Sequence, residues 1–195
     1  MSKSSLKILQ VLDYFSRKLG GPVHNVYNLS KKLTEFGHEV TVCSTDFAFD
    51  GGYIGSDAGF HLQIFPCKGP FKYSPAMRGW LDKNIGSFDV VHGNNYWNYQ
   101  NVIASAAARK ISVPFILSPR GSLPIQMKSY AIKYLFDLFF GRKVLDRASI
   151  IVGTTEMEID QILAKGQPLR KTSLIPNAVG LPPDNIDDPT HFKYK

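Results

Sequence analysis

GGPVHNVYNLSKKLTEFGHEVTVCST, residues 20–45, decides the fold. Two glycines and a proline stand at its head. Pro22, Val26, Leu29, Leu33 and Phe36 then step by four and three, and His24, Asn25, Asn28, Lys31, Lys32 and Glu35 take the other side. That spacing predicts an amphipathic helix. Gly37 ends it as a C′ residue, and EVTVCST (39–45) follows as a buried strand. The run KILQVLDY (7–14) precedes it, so the opening reads strand, turn, helix, strand.

The same alternation continues outward. Apolar runs occur at FHLQIFPC (60–67), DVVHGN (89–94), PFILSP (114–119), SIIVGTT (149–155) and TSLIP (172–176). They are mostly continuous rather than alternating, as in strands of a parallel sheet covered on both faces. Helical stripes lie between them: Tyr99, Val102, Ile103, Ala106 and Ala107; Ile132, Leu135, Phe136, Leu138 and Phe139; Ile159, Ile162 and Leu163 before Gly166. The expectation is a doubly wound parallel sheet of about seven strands. Residues 46–59, DFAFDGGYIGSDAG, read as a Gly-rich loop without a helix. Residues 1–176 read as one domain. Residues 177–195, with three prolines, three aspartates and no periodicity, read as an interdomain linker before a second domain.

Bulk properties narrow the class. The 195 residues are 44% hydrophobic and 20% charged, ordinary for a globular domain with a sizeable core. Lys and Arg number 23 against 16 Asp and Glu, for a net charge of +7. Nucleic acid, an anionic membrane surface or a phosphorylated ligand would each suit that excess. The basic residues are dispersed and no nucleic-acid-binding motif is present, so nucleic acid is not the expected partner. Cys43 and Cys67 make no disulfide framework and read as buried thiols in a reducing compartment. MSKSSLKILQVLDYF lacks a signal-peptide pattern, and no stretch of about 20 apolar residues exists, which makes the cytoplasm the default expectation.

Four stretches carry candidate chemistry. Gly20 and Gly21 would let a ligand approach the backbone without a Cβ clash, and Pro22 at the first helical position would leave free amides and the helix dipole facing an anion, a diphosphate by expectation. A tight turn that binds nothing reads equally well. DVVHGNNYW (89–97) places His92, Asn94, Asn95 and Trp97 at a strand's carboxyl end, where open α/β sheets bind ligands. His92 and Asn94 are candidate sugar contacts, and Asn95 a candidate acceptor contact. SPRGSLP (118–124) offers Arg120 as a bidentate grip on phosphate or carboxylate. GTTEMEID (153–160) reads first as a helix N-cap with acidic residues in the first turn, and Thr155 is also a candidate acceptor contact. All four stretches lie at carboxyl ends of strands and should meet at one sheet edge. No G-x-G-x-x-G occurs, which argues against a dinucleotide-dependent hydride transferase.

GGPVHNVYNLSKKLTEFGHEVTV, DVVHGNNYW, VPFILSPRGSLP, RKVLDRASIIVGTTEME and SLIPNAV occur in this order over residues 6–181. Together they resemble the N-terminal domain of the GT-B retaining glycosyltransferases of family 4, closest to members of cell-surface polysaccharide assembly. The resemblance implies a Rossmann-like N-terminal half, with a C-terminal donor-binding domain that carries a paired-glutamate motif and is absent from this chain. It implies a nucleotide-diphosphate sugar donor, a glycan or lipid-linked acceptor, no metal or other cofactor, and Gly20 and Gly21 near the donor diphosphate. Two positions depart from the pattern. Many relatives have H-x-H where this chain has His92 and Asn94, so Asn94 can position a sugar but cannot act as acid or base. The usual IPNGVD is IPNAVG here, with Ala178 and Gly180. The rival of the same architecture is a GT-B nucleotide-sugar epimerase. The rival of another class is a non-enzymatic basic binding module.

Residues 125–147, IQMKSYAIKYLFDLFFGRKVLDR, and 71–83, FKYSPAMRGWLDK, mix large apolar and basic side chains. A core helix with a basic outer face is the favoured reading of the first. An interfacial helix that holds the enzyme peripherally at the inner face of the membrane is the alternative.

Overall fold

The computed structural model describes residues 5–19, 21–51, 59–69, 71–124 and 130–177. Seven strands, β1 (Lys7–Val11), β2 (Glu39–Thr45), β3 (His61–Phe65), β4 (Val90–Asn94), β5 (Phe115–Ser118), β6 (Ile150–Gly153) and β7 (Thr172–Leu174), form one sheet in the order β3-β2-β1-β4-β5-β6-β7. Every neighbouring pair is parallel. All seven expected runs are strands; β2 fills its run, and the other six are shorter than theirs. What falls outside is mostly the carboxyl end: Asp13 and Tyr14 after β1, Pro119 after β5, Thr154 and Thr155 after β6. These trimmed ends are loops, and the first of them, Asp13 and Tyr14, lines the site.

The helices among the described residues are α1 (Gly21–Glu35), α2 (Pro75–Asn84), α3 (Tyr99–Lys110), α4 (Tyr130–Phe136), α5 (Arg142–Arg147) and α6 (Glu156–Ala164). Right-handed crossovers put α1 on one face of the sheet and α2, α3 and α5 on the other. Two separate apolar clusters match that division. Val23 and Val26 of α1 pack with Leu12, Phe15 and Val42, and the larger cluster joins Leu9, Val91, Phe115 and Ile151 to Met77, Ala104 and Leu145. The buried stripe of α1 differs from the one its apolar spacing suggests. Val23, Val26 and Ser30 are buried, Leu29 and Leu33 are half-buried, and Phe36 is exposed beneath the Lys32 ammonium. Full burial along α1 ends at Ser30, and the turn beyond it is half-buried or exposed. Gly37 and Gly166 take the left-handed φ values, +89° and +79°, that end α1 and α6 as read.

Two elements depart from the sequence reading. Residues 75–84 form α2, capped by the Ser74 hydroxyl, which accepts from Met77 N–H at 3.2 Å. Between α4 and α5 the chain continues as a π-helical stretch, Asp137–Gly141, so 130–147 is one helix with a widened turn. Of the two cysteines, Cys43 is buried, and burial pushes its thiol well above the usual range, whereas Cys67 is only half-buried.

Gly93 in β4 is a close-packing position. A Cβ there would lie 2.5 Å from Asn101 Oδ1 and 2.7 Å from the Phe115 ring, both in packed surroundings. Gly93→Ala should therefore cost about 1–3 kcal/mol of unfolding free energy in urea titration, with an unchanged m-value.

Candidate functional site

The winding direction reverses between β1 and β4, and ligands of doubly wound sheets bind at the carboxyl edge beside that point. A cleft of about 320 Å³ lies there. Its walls come from the loop after β1 (Asp13, Tyr14), the first turn of α1 (Pro22), the loop after β4 (Asn95, Trp97), the loop after β5 (Arg120, Gly121, Ser122, Pro124) and Lys133 of α4.

The loops after β4, β5 and β6 brace one another. Asn95 and Arg120 hold left-handed φ values of +62° and +53°, uncommon for residues with a side chain and a sign that the surroundings hold them there. Asn101 Nδ2 donates to the Asn95 carbonyl at 2.5 Å, Asn98 Nδ2 donates to the Asn94 carbonyl at 2.9 Å, and Asn95 N–H donates to the Ser118 carbonyl at 3.0 Å. Tyr96 N–H donates to Ser122 Oγ at 2.7 Å. Glu158, buried in the first turn of α6, accepts from Gly121 N–H at 2.6 Å with Oε1, and from Thr154 N–H and Oγ1, both at 2.8 Å, with Oε2. One carboxylate thereby ties the Arg120 loop to the β6–α6 turn.

Sequence-selected residues divide between the cleft and its support. Asn95 and Arg120 line the cleft. Asn94 is fully buried behind it. Its Nδ2 donates to Gln10 Oε1 at 3.0 Å and its Oδ1 accepts from Arg120 Nε at 2.9 Å, so its amide orients the guanidinium instead of facing a sugar. Arg120 NH1 also donates to Asn177 Oδ1 at 2.9 Å, at the last described residue of the chain. His92 shares a 2.8 Å hydrogen bond between Nε2 and Ser118 Oγ. Burial, with Arg120 nearby, pushes its pKa down to about 3, so the imidazole is neutral at ordinary pH. Thr155 caps α6, its hydroxyl accepting from Glu158 N–H at 3.2 Å, and lies outside the cleft lining. Gly21 is the first residue of α1, and Pro22 is the second rather than the first. Gly20 lies outside the described residues, as do residues 52–58 of the Gly-rich loop and 178–195 of the tail.

Three contributors were not selected from the sequence. Asp13 is buried on the cleft wall and forms an ion pair with Lys72, whose ammonium lies 4.5 Å from the ring centroids of Tyr14 and Phe47. Glu158 is the second and Lys133 the third. The acidic first turn of α6 was legible as a cap, but its reach to Gly121 follows from the crossing of β5 and β6, which one local segment does not encode. With Lys72 paired, Arg120 and Lys133 leave the cleft cationic. The amino end of the 15-residue α1 opens onto it at Pro22, with no acidic residue in its first turn. Such a site suits an anion. Among the described residues no group of three His, Cys, Asp or Glu side chains could hold a metal ion.

Residues 20–178 match the family model described as glycosyl transferase 4-like domain. The chain belongs to this family. No curated protein matches the sequence. Among solved structures, this glycosyl transferase 4-like domain is similar to Anabaena HepE in complex with UDP-glucose, at 14% identity and TM-score 0.65, over 89% of this chain and 44% of that one. Acinetobacter baumannii MurG aligns at 11% identity and TM-score 0.58, over 89% and 46%. A putative UDP-N-acetylglucosamine 2-epimerase from Listeria monocytogenes aligns at 10% identity and TM-score 0.62, over 87% and 44%. At these identities the likeness establishes the fold, the Rossmann-like N-terminal domain of the GT-B architecture. The chain spans less than half the length of the structures it resembles. Among the described residues no helix is long and apolar enough to cross a membrane.

Proposed function

We propose that this domain is the acceptor-side half of a retaining glycosyltransferase that moves a sugar from a nucleotide-diphosphate sugar to a glycan or lipid-linked acceptor, in cell-surface polysaccharide synthesis. The observation that carries it is the cationic cleft at the switch point, where the amino end of α1, Arg120 and Lys133 converge. Charge builds on the leaving diphosphate during transfer. Oriented amides and a guanidinium held by Asn94 can stabilise it without reorganising and without a metal. Asn95 on the same wall can hydrogen-bond acceptor hydroxyls. The donor base and the paired glutamates would belong to a second domain beyond the linker at 177–195, and the enzyme would work in the cytoplasm, peripherally at the inner face of the membrane. The UDP-glucose held by Anabaena HepE supports the donor class.

The test is transfer from a panel of labelled nucleotide sugars by the complete protein, with the product anomer read by NMR. Arg120→Ala should lower kcat/KM about 10- to 100-fold, as expected for a lost charge-assisted contact. Gly21 offers a sharper check. A Cβ there would meet nothing within 4 Å, so the fold itself has no steric need for glycine. Gly21→Ala should leave the melting temperature unchanged or slightly raised, because alanine is the better helix former. Donor affinity should fall about tenfold if a diphosphate approaches this backbone. Unchanged affinity would return the junction to a turn that binds nothing.

A GT-B nucleotide-sugar epimerase is the second reading, supported by the likeness to the Listeria structure and by the Asp13 carboxylate on the cleft wall. The neutral His92 and the amide at Asn94 give that reading few proton carriers. Epimerised donor without transferred sugar in the same assay would favour it.

A further inference from the structure

The π-helical turn at Asp137–Gly141 closes on a buried group beside the cleft. Tyr96 is fully buried and donates its hydroxyl hydrogen to Asp137, which also pairs with Lys165. Gly141 lets the turn pass over this hydroxyl, because a Cβ there would strike it. The turn does not bury its own apolar side chains. Leu138 and Phe139 are 63% and 55% exposed, and Leu135 is 51% exposed. This overturns the favoured sequence reading of a core helix with a basic outer face, because only Phe136, Val144 and Leu145 of its described large apolar side chains are buried. Widened turns of this kind recur at functional sites. Here the side chain next to the pinned tyrosine is Trp97.

Trp97 is half-buried and lines the cleft. Its ring packs edge-to-face with Tyr96 at 4.7 Å and with Phe136, just before the π turn, at 5.7 Å between centroids. Its Nε1 has no hydrogen-bond partner among the described residues, so aromatic packing sets the orientation of the ring. Two ammonium groups lie near its centroid, Lys165 at 5.8 Å and Lys133 at 5.9 Å. Lys165 is neutralised by Asp137. Lys133 stands on the cleft wall, one helical turn before Asp137, and among the described residues it forms no ion pair.

We propose that Trp97 and Lys133 form a subsite for an acidic acceptor sugar, in which the C–H face of a pyranose stacks on the indole and an acid group beside that ring, a uronate or a glycosyl phosphate, meets the ammonium. This rests on the transferase reading, in which the α1 amides and Arg120 hold the donor diphosphate and leave Lys133 for the acceptor. A pyranose has an apolar face and a rim of hydroxyls, so it needs an aromatic surface beside hydrogen-bonding groups. The cleft supplies both, with Asn95 and Ser122 lining it alongside Trp97. The helix of Lys133 lies on the opposite face of the sheet from α1, so the two acids of donor and acceptor meet different walls. A neutral acceptor would leave this half-buried ammonium without a partner, which is the source of the selectivity.

The test reads the fluorescence of the chain carrying Trp80→Phe, which leaves Trp97 as its one tryptophan. Trp80 packs with Phe65 and Phe88 and does not line the cleft. Titration with methyl glucuronide or glucose 1-phosphate should change the Trp97 emission to saturation, and the tighter of the two identifies the source of the acid. Methyl glucoside should bind about tenfold more weakly. Lys133→Gln should abolish that preference and Lys133→Arg should keep it, with every variant checked by thermal melting. With the tighter sugar as acceptor, Trp97→Leu in the complete protein should raise its KM about tenfold and change kcat little. An unresponsive Trp97, equal affinity for all three sugars, a response to inorganic phosphate as strong as that to glucose 1-phosphate, or a preference that survives Lys133→Gln would overturn the inference. Because binding is read without transfer, the two readings fail separately. Saturable, acid-selective emission in a protein that transfers nothing keeps the subsite and removes the transferase reading. Transfer by a protein whose Trp97 does not respond, with KM unchanged in Trp97→Leu, does the reverse.

Discussion

Glu158→Ala should lower the unfolding free energy by roughly 2–3 kcal/mol, the effect of losing the charge-assisted hydrogen bonds by which one buried carboxylate ties two loops together. The carboxylate is 3% exposed and accepts three hydrogen bonds, two of them from backbone amides. Removing it leaves Gly121 N–H, at an exposed residue, and Thr154 N–H, at a half-buried one, to find water, so what is lost is the tie between the two loops. Glu158→Gln should cost about half as much, because its amide oxygen can still accept from one side. Thr155→Ala removes only the cap and should cost about 1 kcal/mol. Urea unfolding of the three variants tests this ranking. A Glu158→Ala cost no larger than that of Thr155→Ala would show that Gly121 does not depend on the carboxylate. The variant should also impair ligand binding in the cleft, because Gly121 follows Arg120 directly and its amide would lose its anchor.

The strands were legible because each is a short, nearly continuous apolar run, and a parallel sheet buried on both faces leaves no other place for KILQV or EVTVC. Strand order was legible only as a class. The register of β1 against both β2 and β4 comes from long-range packing. Helix α2 was missed as an element because only Met77 and Leu81 are buried along its ten residues, too few to show a period, although Ser74-Pro75 is a helix-start signal. At the site, the sequence marked the loops but not the division of labour within them. His92 lies within β4, Asn94 ends it and Arg120 follows β5, and nothing local says which face a given side chain takes. In β4 the side chains alternate across the sheet, so the last strand residue, Asn94, turns under the Arg120 loop, and Asn95, one step beyond, reaches the cleft. Asp13 escaped notice because its partner Lys72 lies 59 residues away, in a loop with no motif of its own.

Acid should unfold the domain partly through one imidazole. His92 has a folded pKa of about 3 against 6.5 in the unfolded chain. Between those values the unfolded state binds a proton that the folded state does not, so stability is fully present above pH 6.5 and falls as pH drops toward 3. The slope is about 1.4 kcal/mol per pH unit, and the loss approaches about 4 kcal/mol at the lower end. Burial is the main cause, and Arg120 adds repulsion against a second positive charge. Carboxylates contribute an acid limb of their own, so the readout is the difference between wild type and His92→Gln, a variant that can keep a hydrogen bond to Ser118. That difference should grow as pH falls from 6.5 and level off below 3. The same argument bears on chemistry. An imidazole that stays neutral cannot be a general acid near pH 7, and its Nε2 already meets Ser118 Oγ. The pH–rate profile of the complete protein should therefore show no inflection near 6.5 that His92→Gln removes. Such an inflection would mean that ligand binding or domain closure opens the His92 pocket, and that the residue takes part in proton transfer after all.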